Sequence, residues 1–134
     1  MKKTFMPQFT DIGQLFDHQL EGLKWTIAHA FNGSPFYRKQ FEEAGVTPSD
    51  ISSLDDLTRL PFTTGTHLKE GYPLPLLSVP QKDVVRIHAS SGTTGKRKIL
   101  SYTQNDLDVW FDMFARCYEM AGLTEEDRVQ IAVG

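Results

Sequence analysis

The sequence has little with which to build a disulfide-bonded, cysteine-ligated or membrane-spanning protein. Its 134 residues include one cysteine, Cys117, which leaves no partner for an internal disulfide or a zinc site. No apolar run approaches the ~18 residues that a membrane-spanning helix needs. The net charge of −3 argues against general affinity for nucleic acid. Lys2 and Lys3 precede no apolar segment, so we predict no signal peptide and a cytoplasmic protein.

The first half of the chain has the spacing of apolar residues that is typical of helices. It predicts a helix over residues 11–32, capped by Asp11 and Gln14. Ser34 and Pro35 predict the start of a second helix that ends before Gly45. Short helical turns are expected at 53–60 and 64–70, and a proline-rich extended connector at 71–80. At this spacing the aromatic residues are interpreted as core residues rather than substrate contacts; they include Trp25 and Phe36.

The second half predicts two strands, a long helix and a third strand. The strands are expected at 84–89, 98–102 and 128–133. Thr103 or Asn105 is expected to cap the helix, whose apolar face includes Cys117 as a small core residue. The last two strands and this helix are expected to form a right-handed crossover.

Residues 90–98 form the most distinctive stretch, because they hold four hydroxyls, two glycines and three cations with no carboxylate. Hydroxyls, cations and exposed backbone N–H groups suit a loop that wraps a polyphosphate. The stretch is not a P-loop, because Ser90 and Arg97 stand where that pattern needs a glycine and a hydroxyl. The alternative is an ordinary solvated turn. His88 either biases a phosphate site electrostatically or is a hydrogen-bonded histidine of the sheet face.

The order of residues in this loop resembles the nucleotide-phosphate loop of the adenylate-forming superfamily, which includes acyl-CoA synthetases. The flanking sequence is similar to one branch, the phenylacetate–CoA ligases. The similarity runs from about residue 20 to residue 134, and the segments that carry it are 34–38, 44–46, 60–64, 71–73, 86–96 and 102–107.

The resemblance implies a truncated α/β fold, in which a helical segment and connector (1–80) lead into the first strands of a nucleotide-binding sheet (81–134). It implies an enzyme that adenylates an aryl acid with ATP and Mg²⁺ and then transfers the acyl group to coenzyme A. In that family the loop holds the β- and γ-phosphates of ATP. The implied binding residues are Ser90, Ser91, Gly92, Thr93, Thr94, Gly95 and Lys96.

The chain departs from the family pattern at two positions. Arg97 stands where the family usually has proline, and it adds a charge beside the loop. Gly65 stands where the family usually has a lysine, so a cation is missing there.

The family's acyl pocket, its Mg²⁺-binding acidic residue and its catalytic lysine all lie beyond residue 134. The resemblance therefore implies no catalytic residue and no metal ligand within this chain. We expect an N-terminal portion of a ligase that is inactive alone, whether it arose by gene truncation, proteolysis or design. Faces exposed by truncation favour a homo-oligomer through 105–134 over a monomer. The alternative function is a non-catalytic interaction module with a remnant phosphate loop.

Overall fold

The structure is a computed structural model that describes residues 9–70, 73–74, 76–90, 97–130 and 132. The first part of it is helical, with 3₁₀ turns after the second helix: α1 (Ile12–Gly33), α2 (Pro35–Glu43), the 3₁₀ turns Pro48–Asp50 and Leu54–Arg59, and α3 (His67–Glu70). The second part contains a 3₁₀ turn, a hairpin and a long helix: Gln81–Asp83, β1 (Arg86–Ala89), β2 (Ile99–Tyr102) and α4 (Gln104–Met120). No described helix has the length and apolar character required to cross a membrane.

Ser34 joins α1 to α2 and explains where both helices end. Its backbone N–H donates to the carbonyl of Ala30 at 2.9 Å and closes α1. Its hydroxyl accepts from the N–H of Tyr37 at 3.4 Å, and Pro35 supplies the first residue of α2. At the other end of α1, the carboxylate of Asp11 accepts from the N–H of Gln14 at 3.0 Å. The predicted helices and the N-caps Asp11 and Ser34 are confirmed, but the side chain of Gln14 accepts from the N–H of Thr10 at 3.0 Å and does not complete a capping box with Asp11.

A hydrophobic core lies between α1, α2 and the 3₁₀ turns that follow them. Gly45 adopts a φ of 66°, which returns the chain from α2 towards α1. The buried apolar side chains of this cluster are Ile27 of α1, Phe41 of α2, and Val46 and Ile51, which lie before and after the first 3₁₀ turn. The helical part of the chain therefore has its own core, independent of the hairpin.

Two residues expected in the core lie elsewhere. Trp25 is 66% exposed and stacks on His29, with ring centroids 4.9 Å apart. Cys117 is also exposed, on α4. Both predictions are wrong because helical spacing identifies the apolar side of a helix but not whether another element covers that side. Phe36, by contrast, is half-buried against Tyr37 and His67.

The connector lies directly against the end of α1. A Cβ atom added at Gly33 would lie 2.0 Å from the carbonyl oxygen of Ser78. Only glycine permits this approach of two backbones. The contact fixes the connector, and with it the start of the hairpin, relative to the helical core.

The two strands form an antiparallel pair in which Arg86 lies opposite Tyr102 and Ala89 lies opposite Ile99. This confirms the predicted strands on either side of the loop. The side of the hairpin that packs on α4 is the polar side of β1, because His88 is half-buried against Trp110. Ile87, on the other side, is 56% exposed.

Thr103, not Asn105, caps the last helix. The hydroxyl of Thr103 accepts from the N–H of Asp106 at 3.3 Å, and the carboxylate of Asp106 accepts from the N–H of Thr103 at 2.7 Å. Leu107 is buried at the start of the helix, whereas Phe111 and Phe114 are about half exposed.

The third strand is not found in the described residues. Residues 128–130 and 132 have no strand conformation, and 131, 133 and 134 lie outside the described part of the chain. The expected crossover is therefore absent from the described residues. A strand needs a neighbour to supply its hydrogen bonds, and none of the described segments pairs with 128–130.

In each of three turns, an aspartate carboxylate accepts hydrogen bonds from the backbone N–H and the hydroxyl of a serine or threonine three or four residues earlier. The N–H groups of Ser52 and Ser53 donate to Asp56 at 2.9 and 2.8 Å, and they hold the pKa of Asp56 far below its ordinary 3.8. The hydroxyl and N–H of Thr47 lower the pKa of Asp50 in the same way. Thr124 lowers the pKa of Asp127, chiefly through its backbone N–H.

These carboxylates predict a loss of stability in acid. The pKa of Asp56 in the folded protein lies below its unfolded value of 3.8. The stability that its carboxylate contributes is therefore complete above pH 3.8 and is lost as the pH falls through the folded pKa. We expect Asp56→Asn to lower the melting temperature at pH 7. Below about pH 4, the melting temperature of the variant should fall less than that of the unaltered chain. Thermal melts from pH 7 to pH 2 measure both effects. Asp55→Asn removes a neighbouring charge as the control, and an equal response in both variants would contradict the prediction.

The backbone contact at Gly33 predicts opposite outcomes for two glycines of one helix. Gly33→Ala places a methyl group against the carbonyl of Ser78 and should destabilise the fold by about 1–3 kcal/mol. Gly22→Ala meets nothing within 4 Å and should stabilise it by about 0.5–1 kcal/mol, as expected inside a helix. Urea unfolding measures both changes, and a stabilised Gly33→Ala variant would show that the connector does not pack as described.

Candidate functional site

The described ends of the predicted phosphate loop are held together by two hydrogen bonds. The N–H of Ser90 donates to the carbonyl of Lys98 at 3.0 Å, and the N–H of Lys98 donates to the hydroxyl of Ser90 at 3.1 Å. The first bond continues the backbone ladder of β1 and β2, and the second is a bond to a side chain. Together they hold the described ends of the loop side by side.

The structure tests few of the predicted binding residues directly. Ser90 lies at the loop base, and its hydroxyl already accepts a bond from the backbone. Six of the predicted residues lie outside the described part of the chain: Ser91, Gly92, Thr93, Thr94, Gly95 and Lys96. Arg97 and Lys98 are described, and both are exposed. The described loop base therefore presents a hydroxyl and two cations, a donor set that fits an anionic ligand.

An aromatic cluster supports the hairpin from the side of α4. The ring of His88 lies 5.0 Å from that of Tyr102 and 5.3 Å from that of Trp110. Tyr102 and Trp110 also stack on each other at 5.7 Å, and Phe114 continues the row at 5.8 Å from Trp110. These contacts give His88 a packing role. A histidine of the sheet face is what the structure shows, although its partners are aromatic rings.

A cavity of about 380 Å³ lies between α1, the connector and the junction of β2 with α4. The stacked pair Trp25 and His29 forms one wall. Tyr102, Thr103 and Asp106 contribute to the opposite wall. Sequence reasoning did not find this cavity, because its walls come from segments far apart in the chain.

A contact between Lys98 and Gly65 was also missed. A Cβ atom added at Gly65 would lie 2.8 Å from the ammonium nitrogen of Lys98. Gly65, one of the two departures from the family pattern, therefore lies beside Lys98, the residue that follows Arg97. No sequence signal could have found this pair, because the residues are 33 positions apart.

No group of three or more His, Cys, Asp or Glu side chains in the described ranges is arranged to hold a metal ion. Asp106, which follows the hairpin, caps α4 by accepting from the N–H of Thr103.

The sequence is similar to those of several phenylacetate-coenzyme A ligases. The chain is 44% identical to the phenylacetate-coenzyme A ligase of Pseudomonas putida over 123 residues, which cover 92% of the chain and 28% of the relative. It is 47% identical to the Escherichia coli K12 enzyme of the same name over 116 residues, or 87% of the chain and 26% of the relative. The chain is a homologue of part of the phenylacetate–CoA ligases. No protein-family model matches it. The chain spans about a quarter of the length of these relatives.

Solved structures give the same fold. A 2-hydroxyisobutyryl-CoA ligase in complex with 2-HIB-AMP and CoA matches 87% of the chain and 28% of its own length, at a TM-score of 0.72 and 26% identity. A second structure of that ligase, in the postadenylation state with 2-HIB-AMP, matches 92% of the chain and 29% of its own length, at a TM-score of 0.75 and 23% identity. The resemblance to phenylacetate–CoA ligases and the truncated α/β fold class are both confirmed.

Proposed function

We propose that the chain is the N-terminal portion of an ATP-dependent aryl-acid–CoA ligase. The observation that carries the proposal is 44–47% identity to phenylacetate-coenzyme A ligases across 78–92% of the chain. The domain division at residue 80 is part of the proposal. The helical core would then support a hairpin whose tip handles phosphate. Cytoplasmic localisation follows from an enzyme that uses ATP and CoA.

The proposed reaction has two balanced steps. The substrate carboxylate attacks the α-phosphorus of ATP, forms an acyl adenylate and releases pyrophosphate. The sulfur of CoA then attacks the acyl carbon, forms the thioester and releases AMP. An acyl-AMP and CoA are bound together in one solved neighbour, which supports this order for the family to which the chain is similar.

The contribution of this chain would be to position the triphosphate. Hydroxyl and backbone donors, together with Lys96, would bind the β- and γ-phosphates and offset their charge as pyrophosphate leaves. The proposed hydroxyl donors are Ser90, Ser91, Thr93 and Thr94, and Gly92 and Gly95 would allow close approach of the backbone. Mg²⁺ would neutralise phosphate charge, with ligands supplied by the rest of the ligase. None of these residues acts as a nucleophile or base.

We also infer that the isolated chain self-associates. Apolar side chains about half exposed along α4 support this inference: Val109, Phe111, Met113 and Phe114. Exposed apolar side chains on one helix support an interface there when they are covered by a second copy. The same surface would suit the alternative function, an interaction module without catalysis.

A chimera tests the proposed function. The corresponding segment of the E. coli relative is replaced by this chain, and CoA-thioester formation is measured with phenylacetate, ATP, Mg²⁺ and CoA. We expect an active chimera, and Lys96→Ala should lower its kcat/KM for ATP by about 100-fold, because one charge stabilising the transition state is lost. Lys82→Ala removes an exposed charge elsewhere and should leave the rate unchanged. A folded but inactive chimera would favour the interaction module.

Nucleotide binding by the isolated chain gives an independent check. Only phosphate contacts are expected, so ATP should bind with a Kd of about 1 mM, or roughly 4 kcal/mol. NMR titration should shift the amides of 90–98, and Lys96→Ala should weaken binding while Lys82→Ala does not. The isolated chain should form no CoA thioester above a blank without protein. Micromolar affinity, or shifts confined to other regions, would refute the expectation.

A further inference from the structure

The cavity between α1, the connector and the start of α4 has the size and the lining of a small-molecule pocket. Its volume of about 380 Å³ lies within the range of about 300–1,000 Å³ that is usual for ligand sites. Half-buried apolar side chains of the connector contribute to its lining, namely Leu76, Leu77 and Val79. The cavity therefore offers apolar contact area at the place where the helical core meets the hairpin.

The stacked rings of Trp25 and His29 give the cavity a flat aromatic wall. Their planes are 5° from parallel, and their centroids are 4.9 Å apart. The imidazole covers one face of the indole, yet Trp25 is 66% exposed, so the other face is open. An open indole face attracts planar rings through stacking and organic cations through the negative potential of its π system.

The charge of the lining favours a cation over an anion. Asp106 lines the cavity, and no lysine or arginine is among the described residues that do so. Its Oδ2 atom accepts from the N–H and the hydroxyl of Thr103, at 2.7 and 2.8 Å, whereas Oδ1 accepts no hydrogen bond in the described part of the chain. The partial charge of about +0.5 at the N-terminus of α4 offsets only part of the full negative charge of this carboxylate.

We propose that this cavity binds an arylalkylammonium ion, whose ring stacks on the open face of Trp25 and whose ammonium group donates to Oδ1 of Asp106. The ion would bridge α1 and α4 by contact alone, with no covalent step. The site is separate from the predicted phosphate loop, and its ligand has the opposite charge to ATP and to a carboxylate substrate. The proposal therefore stands or falls independently of the proposed ligase function.

The test titrates the whole chain with three probes of nearly equal size: 2-phenylethylamine, 2-phenylethanol and phenylacetate, which are a cation, a neutral molecule and an anion. NMR follows the indole N–H of Trp25, which is identified by its absence in Trp25→Leu. We expect the amine to bind with a Kd of about 1 mM, as suits so small a ligand. The alcohol should bind about 5-fold more weakly, since it lacks one exposed charge pair, and phenylacetate should bind more weakly still.

A variant of Trp25 tests the aromatic contact. Trp25→Leu removes an exposed ring, and it should weaken amine binding by about 3- to 5-fold, as followed by the amides of residues 101–103. Phe16→Leu is the control, because Phe16 is 51% exposed on the same helix and does not line the cavity. The control should leave the affinity unchanged, and thermal melts of both variants identify any loss that comes from unfolding.

A variant of Asp106 tests the charge. Asp106→Asn removes the carboxylate but keeps an oxygen that can accept from the N–H of Thr103, so α4 retains a cap. In this variant the amine should bind no more tightly than the alcohol does. Asp112→Asn makes the same change at an exposed position of α4 outside the cavity, and it should preserve the preference for the amine.

Three results would overturn the proposal. Equal affinity for the three probes would show that the cavity does not select a cation. Unchanged amine affinity in Trp25→Leu, or an unchanged preference for the amine in Asp106→Asn, would show that the named contacts are not made. Loss of amine binding in the chimera with the E. coli relative would show that another ligase segment fills the cavity. The proposed function is judged separately, by thioester formation in that chimera.

Discussion

Two hydrogen bonds between Ser90 and Lys98 hold the ends of the loop at the tip of the hairpin, and the arrangement of charge around that tip depends on them. They extend an antiparallel ladder that is itself supported by the rings of His88, Tyr102 and Trp110. A loop whose ends are fixed loses less conformational freedom when it binds a ligand. Under the proposed function, this constraint would lower the entropic cost of binding phosphate.

The helical part of the chain is organised by local bonds and then joined to the hairpin by one close approach. Ser34 ends α1 and starts α2, and side-chain caps begin α1 and α4. These bonds span three or four residues and need no distant partner. The approach of Ser78 to Gly33 is different, because it joins segments 45 positions apart and sets where the hairpin begins relative to the core.

Position along the chain does not by itself give position in the fold. The ammonium group of Lys98 lies beside Gly65, which is 33 positions away in the sequence. Trp25, Ile87 and Phe111 have the spacing of core residues and yet are more than half exposed. Spacing gives the apolar side of an element, whereas burial depends on what packs against it.

The amino-acid sequence by itself determined the bounds and caps of α1 and α2, the two strands around the loop and the family resemblance. All of these depend on contacts between near neighbours, or on residue order within short segments. Tertiary structure alone decided that the polar side of β1 faces α4, that Cys117 is exposed, that 128–130 is not a strand, and that Lys98 lies over Gly65. Each of these depends on segments distant in sequence, and no local propensity records which segments will meet in the fold.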